Sequence, residues 1–510
     1  MGIGTPSESP AVVVKEIDLT GGVPNTQSTT GAAVINSRWG PVEKRTLVDN
    51  EDTLVDIFAS PDSSNTISFH EANFFLKYSS KLQVVRIIDT GAKNSVSITG
   101  QTGAATPAVD APETVKNEDD FNSQLSALDS DLHTFIGKYP GAIGNSLQVQ
   151  MCPASDSSTN SAFDAWAYKD NFDAAPGNSS FATKKTATDD EVHVAVIDKN
   201  GQFTGTNGTV LETYPFMSVA KNAKNDDGTS NYVKDVINER SEYVWMVDFD
   251  SDFRQAGAGT NMADSGSNFN ITTAATGATK PASQIKTFNF ASGADVSSLT
   301  TGNILSGFDL FEDKDQVEID FLIAPSMASR SDTTTVVNDL VTTAASLRKD
   351  CVVVASPART DVVNVTNAAT AVSNVVTTAN TFTTSSYLFA DNNYLKVYDK
   401  FNDQFINIAA ASSTAGLMAA TDLNRAAWFS PAGSRRGQYL GITSIAYTPT
   451  KSQRDTLYKA QVNPIANIPG AGVVLFGDKT KLARPSAFDR INVRRLFLVL
   501  ERAIARAAEQ

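Results

Sequence analysis

The sequence predicts an α/β core domain that is discontinuous in the chain and interrupted by an inserted β-rich, loop-rich α+β domain. Three observations lead there. Strand-like and helix-like patterns alternate towards both ends of the 510-residue chain, as in an α/β unit. Between them the composition turns to Ala, Ser, Thr, Asn, Asp and Gly. The charge turns at the same place. Residues 101–310 hold 27 Asp and Glu against 13 Lys and Arg, a net of −14, while the remainder holds 29 of each. A neutral framework suits packing against protein, and an acidic middle suits a solvated outer surface. The boundaries that follow are 1–20 for an N-terminal segment, 21–93 with 316–510 for the core, and 94–315 for the insertion.

The elements follow in order. Ala11-Val-Val-Val-Lys-Glu-Ile-Asp-Leu19 reads as a strand between loose Gly/Pro/Ser-rich stretches. Such a strand closes on its own domain or adds to another chain's sheet edge, and local sequence favours its own domain. Thr30–Asn36 predicts a strand ending at the Trp39-Gly-Pro41 turn, and Asn50 opens an amphipathic helix through Leu54, Ile57 and Phe58. A helix at His70–Tyr78 and an apolar strand at Leu82–Ile88 complete the first half of the core. Residues 91–118, 153–189 and 254–300 read as long loops, with strands at Asn145–Met151, Glu191–Asp198 and Glu242–Phe249 among them. Gln316–Ala324 then restores the α/β pattern. It continues through helix Val336–Arg348, strand Cys351–Ala355 and helix Ala415–Asp422. No internal repeat is found.

Composition excludes several functions. A nucleic-acid binder needs a basic surplus, and neither part of this chain has one. No run of about 18 apolar residues predicts a membrane span, and the start carries no secretory signal pattern. The Asn178, Asn207, Asn270 and Asn364 triplets read as chance. Cys152 and Cys351 cannot frame a disulfide scaffold or a zinc site alone, and His70, His133 and His193 show no ligand spacing. Asp248-Phe-Asp250-Ser-Asp252 opens like a calcium loop, but Phe253 and Gly259 stand where Gly and Glu are needed. Gly470-Ala-Gly472 and Gly477-Asp-Lys-Thr480 read as turns rather than phosphate loops. Ser430 lacks the Gly-x-Ser-x-Gly elbow. The expectation is no enzyme, no cofactor and no metal.

At the end of the chain, Asp489 and Arg490 precede a helix in which Val493, Leu496, Leu500, Ile504 and Ala507 recur every three or four positions. That spacing predicts one buried stripe, with Arg494, Arg495, Arg502 and Arg506 on the opposite surface. Residues 484–510 carry six Arg against three acids.

Several blocks of the framework resemble contractile bacteriophage tail sheath proteins, in the family's order. They are Ser9-Pro-Ala-Val-Val-Val-Lys-Glu16, Trp39-Gly-Pro41, Phe58–Pro61, Ala72-Asn-Phe-Phe75 and Val84-Val-Arg-Ile-Ile-Asp89. Cys351-Val-Val-Val-Ala-Ser-Pro-Ala-Arg359, Tyr398-Asp-Lys-Phe-Asn-Asp403, Trp428-Phe-Ser-Pro-Ala-Gly-Ser-Arg-Arg-Gly-Gln438, Gly477–Thr480 and Phe488-Asp-Arg-Ile-Asn-Val-Arg-Arg-Leu-Phe497 follow. The Trp428 and Phe488 blocks are the specific ones. In the insertion, Tyr139-Pro-Gly141 with Gly144-Asn145 is similar to a family motif.

The resemblance implies a structural subunit of the virion tail, assembled in the host cytoplasm. Such subunits form hexameric rings stacked as a helical polymer around a tail tube protein, with baseplate and tail terminator proteins as further partners. Contraction drives the tube through the host envelope without nucleotide, and no nucleic acid or membrane insertion is involved. The resemblance also reverses the local reading of residues 11–19. It implies an extended N-terminal arm that links to a neighbour, through Val12, Val13, Val14, Glu16 and Ile17. It implies that Arg494, Arg495, Arg502 and Arg506 contact the tube or a neighbour. Family members continue beyond this helix into a C-terminal arm. The sequence stops at Gln510 with no such strand, so assembly by this chain alone is not expected. The outermost family domain is expected to be reduced to the loop near 94–118. Other readings are the sheath of a phage-tail-like bacteriocin or injection machine, an acidic surface-layer protein or adhesin, and a hydrolase using Ser430.

Overall fold

The computed structural model describes residues 29–99, 114–128, 134–154, 161–247, 254–256, 262–265, 268–271, 279–281 and 285–508. The strand expected at residues 11–19, with Val12, Val13, Val14, Glu16 and Ile17, lies outside them, as do His133 and the Asp248–Asp252 run.

Six strands form one sheet in the order Leu388–Ala390, Val352–Ala355, Phe321–Ile323, Gly31–Ile35, Leu82–Arg86 and Arg45–Val48. The pairings are parallel except at the Arg45–Val48 edge, which is antiparallel. Gly31 lies opposite both Leu82 and Phe321, so the chain leaves this sheet after Arg86 and re-enters beside its first strand. Short, nearly continuous apolar runs suit a sheet covered on both faces, and helices cover both. Ala33, Ile35, Val84, Phe321 and Val354 face helices α1 (Thr66–Leu76) and α2 (Ala411–Asn424). Ala32, Val34, Val85, Leu322 and Val353 face the other way, onto Val336, Leu340, Val372 and Val375. Cys351 and Cys152 are both buried free thiols.

A second sheet has seven antiparallel strands, all drawn from residues 94–291. The order is Thr209–Ser218, Glu191–Asp198, Leu147–Pro153, Lys286–Ala291, Asn94–Thr99, Phe135–Pro140 and Val244–Met246. Two of its central strands fall in stretches expected to be loops. Asn94–Thr99 and Lys286–Ala291 are rich in Ser, Asn and Thr, and the side chains of Asn94, Ser97 and Asn289 find partners there. The Asn94 side chain donates to the carbonyls of Val115 and Gly137 and accepts from the Val115 N–H. Phe288 and Phe290 meanwhile point into the core with Phe135 and Val149.

Two features join the sheets. The Arg86 side chain leaves the six-stranded sheet and donates to the carbonyls of Ser37, Gly40 and Pro140, at 3.0, 2.8 and 2.6 Å. Gly141 has φ +152, and a Cβ there would lie 2.2 Å from the Arg38 carbonyl oxygen. Only glycine allows that approach.

Helix expectations hold with shifted ends. Asn50 caps Glu51–Phe58 by accepting from the Thr53 N–H. Helix α1 starts one turn before His70, and Arg330–Thr342 passes into a π-turn at 343–348 where a single helix to Arg348 was expected. The Gly470-Ala-Gly472 segment is the turn of a hairpin between Ile465–Ile468 and Gly472–Leu475.

Two carboxyls inside the core are held by neutral donors. Glu71 accepts from the N–H groups of Ser326 and Ala409, and Asp391 from the Ser356 hydroxyl and the Asn393 N–H. Burial pushes both up to about 7. The folded state therefore holds these protons more tightly than the unfolded chain. The stability they contribute is present in acid and is lost as pH rises from the ordinary carboxyl range towards 7. Each tenfold gain in proton affinity on folding is worth about 1.4 kcal/mol, so the two carboxyls together account for several kcal/mol. The urea midpoint is expected to fall between about pH 5 and about pH 7.5, and Asp391→Asn to flatten part of that slope. A midpoint flat over this range in both proteins would contradict the assignment.

Candidate interface at the C-terminal helix

Three motif blocks far apart in sequence meet at one carboxylate. Asp478, in the Gly477–Thr480 turn, accepts from the Ser430 hydroxyl at 3.1 Å, from the Tyr458 hydroxyl at 3.2 Å and from Arg490. The backbone repeats the link, since Ile491 N–H donates to the Asp478 carbonyl and Thr480 N–H to that of Asp489, both at 2.9 Å. Asn492 ties the same corner to the Trp428 carbonyl. The hydrogen bond that Arg490 donates to Asp478 raises its guanidinium further. This clamp fixes the start of helix α3, Ile491–Ala508, whose Leu, Arg, Glu and Ala content favours helix.

The face of α3 that meets the core is not the predicted one. Arg495 is only 2% exposed. It donates to the Met418 carbonyl at 2.9 Å, lies 3.9 Å from Asp422, and sits over the Phe321 ring. Burial lowers its guanidinium to about 10. Arg502 reaches Asp320 at 2.8 Å and Glu318 at 3.4 Å, and Arg506 pairs with Glu318 at 2.6 Å. Asp320 is itself buried and accepts from the Thr30 N–H at 2.9 Å. Arg494 lies between the rings of Tyr387 and Phe488, 4.3 and 4.1 Å from their centres. Leu498 and Ala503 are buried with Arg495.

The expected buried stripe is therefore corrected. Phe497, Leu500 and Ile504 are 38%, 44% and 66% exposed, Ala507 is exposed, and Val493 and Leu496 are half-buried. Arg495 and Arg502 are internal rather than surface contacts, because carboxylates of the core draw them in. Arg494 and Arg506 keep accessible surface. Periodicity located the helix, but only the carboxylates, contributed from far along the chain, show which side is inward.

Neither His70 nor His193 joins Ser430. His70 is buried 3.1 Å from Asp399, and His193 stacks on Phe172 while its Nδ1 accepts from the Phe216 N–H and its Nε2 donates to the Ala174 carbonyl. Ser430 is committed to Asp478. Among the described residues no group of three or more His, Cys, Asp or Glu is placed to hold a metal ion, and no helix is long and apolar enough to cross a membrane.

The phage tail sheath protein central domain family matches residues 297–481. The tail sheath protein of Salmonella phage ViI is 27% identical, with 99% of this chain and 84% of the relative aligned. That of Enterobacteria phage T4 is 29% identical over 98% of this chain and 86% of the relative. A sheath tail protein from Listeria innocua shares the fold, with a TM-score of 0.53 at 10% identity over 95% of this chain and 78% of that one. One from Desulfitobacterium hafniense has a TM-score of 0.50 at 12% identity, covering 98% and 83%. Over nearly its whole length, then, the chain is similar to contractile phage tail sheath proteins, and it carries the central domain of that family at residues 297–481.

Proposed function

We propose that this protein is a structural, non-catalytic subunit of a contractile phage tail sheath. It forms hexameric rings around a tail tube and shortens to drive the tube through the host envelope. The observation that carries this reading is the surface around the base of α3. Trp428 and Phe429 are exposed beside the corner clamped through Asp478, and Phe497, Leu500 and Ile504 are exposed farther along the helix. Large apolar side chains left exposed beside a rigid corner and along the helix that it anchors belong to assembly more than to catalysis. In this reading residues 21–93 and 316–510 build the core that packs the lattice. Residues 94–315 form the acidic outer domain, and residues 1–20 are the linking arm. Arg494 and Arg506 remain as contacts to the tube or a neighbouring subunit. The tube, baseplate and terminator proteins are the partners, and assembly takes place in the host cytoplasm.

The test is negative-stain microscopy with sedimentation of the chain, alone and with its tail tube protein, and with a family C-terminal segment appended. Striated tubes with a regular ring repeat support the reading. Absence of any assembly on a tube template, even with the added segment, would sink the contractile function and leave the fold. Deleting residues 1–20 is expected to leave a folded protein with unchanged circular dichroism that no longer polymerises. Polymers of normal length from the deleted chain would rule out the linking arm.

A further inference from the structure

The apolar positions that α3 turns outward are regularly placed. Val493, Phe497, Leu500, Ile504 and Ala507 are four, three, four and three residues apart, the spacing of a coiled-coil seam. Arg495 and Arg502 stand opposite that seam, and they are the side chains the core takes in. The core thus holds the helix by its charged side and leaves most of a two-heptad seam accessible, with Val493 half-buried and Phe497 edge-on to Phe488.

The seam is complementary to itself. Laid antiparallel on a second copy, Val493 meets Ile504 of the second copy and Phe497 meets Leu500 of the second copy. The same register sets Arg494 beside Glu501 of the second copy, and the two-fold axis repeats that ion pair. These are the flanking positions where charge selects orientation. Parallel pairing would instead place Glu501 beside Leu496, with no ion pair. Arg494 is already held in place by Tyr387, Phe488 and Ser386, and Glu501 is exposed.

We propose that the free subunit self-associates as an antiparallel two-fold dimer through the outward seam of α3. This goes beyond the sheath reading and does not depend on it. Two heptads are too short to pair as free peptides, because helix formation itself is costly. Here the core has already folded and fixed the helix, so pairing bears little ordering cost. A two-fold contact closes on itself. The dimer is therefore a state of the unassembled subunit, and any head-to-tail contact that uses α3 has to displace it.

Sedimentation equilibrium of the full chain over a range of concentrations tests this. A monomer–dimer equilibrium is expected, weakened at least about tenfold by Ile504→Glu. Circular dichroism of that variant should match the parent, because Ile504 is already exposed. Orientation is read by mixing Phe497→Cys chains with Leu500→Cys chains under mild oxidation, the native Cys152 and Cys351 being buried. The mixed disulfide should exceed either homodimer. A chain that stays monomeric at all concentrations, a dimer indifferent to Ile504→Glu, or a majority of homodimeric disulfides would each overturn the proposal. So would a monomer whose seam binds only the tail tube protein, with that binding lost in Ile504→Glu.

Discussion

Arg86→Met is expected to lower stability by about 3–5 kcal/mol, as a fall in the urea midpoint at constant m-value. Methionine keeps much of the buried stem but removes every donor. Three buried carbonyls, those of Ser37, Gly40 and Pro140, then lose their partner together. An unsatisfied buried acceptor costs about 1–3 kcal/mol, so the sum is large even after partial relaxation. Burial lowers the Arg86 guanidinium to about 9, and it remains a cation at neutral pH. Arg86→Lys is expected to recover only a minor part, because an ammonium lacks the planar fork that reaches three oxygens at once. A loss below about 1 kcal/mol in Arg86→Met would show that water reaches the carbonyls. Since Pro140 belongs to the seven-stranded sheet, hydrogen exchange should quicken there as well as around Ser37.

Asp320→Ala is expected to cost a similar amount, about 3–5 kcal/mol, through a different route. Removing the carboxylate strands the nearly buried Arg502 guanidinium and leaves the Thr30 N–H without its acceptor. Glu318, 3.4 Å from Arg502 and half-exposed, can compensate only in part. The second half of α3 should then loosen. Amides of residues 498–508 would exchange faster, and trypsin would cut after Arg502 or Arg506 in the folded protein. Asp320→Asn keeps an acceptor for Thr30 but not the charge, so its effect should fall between the two. Unchanged exchange in α3 would show that Leu498 and Ala503 hold the helix by themselves.

Much of the secondary structure was legible because its causes are local. Asn50 ahead of Leu54 and Phe58 marks a capped helix, and Glu191–Asp198 is a strand at the limits its pattern suggests. The turn at Gly470–Gly472 was readable from its glycines. The central strands Asn94–Thr99 and Lys286–Ala291 were not, although Val96, Phe288 and Phe290 alternate with polar residues as strand side chains do. Composition outweighed period there. What makes Asn94 and Ser97 tolerable in a sheet interior is a set of partners 21 to 43 residues away, Val115 and Gly137 for Asn94 and the Phe135 N–H for Ser97.

By itself the sequence determined the family blocks, the existence of the C-terminal helix and the division of charge along the chain. Only the tertiary structure decided that the Trp428, Gly477 and Phe488 blocks meet at Asp478, and that α3 turns Arg495 and Arg502 inward. A period of three to four residues reports that a helix has two unlike sides, not which side faces inward. Here the choice rests on Asp320 and Asp422, carboxylates 182 and 73 positions before Arg502 and Arg495. A buried carboxylate is costly unless a cation reaches it. The fold answers that cost with the arginine side of α3, and most of the apolar seam is left accessible.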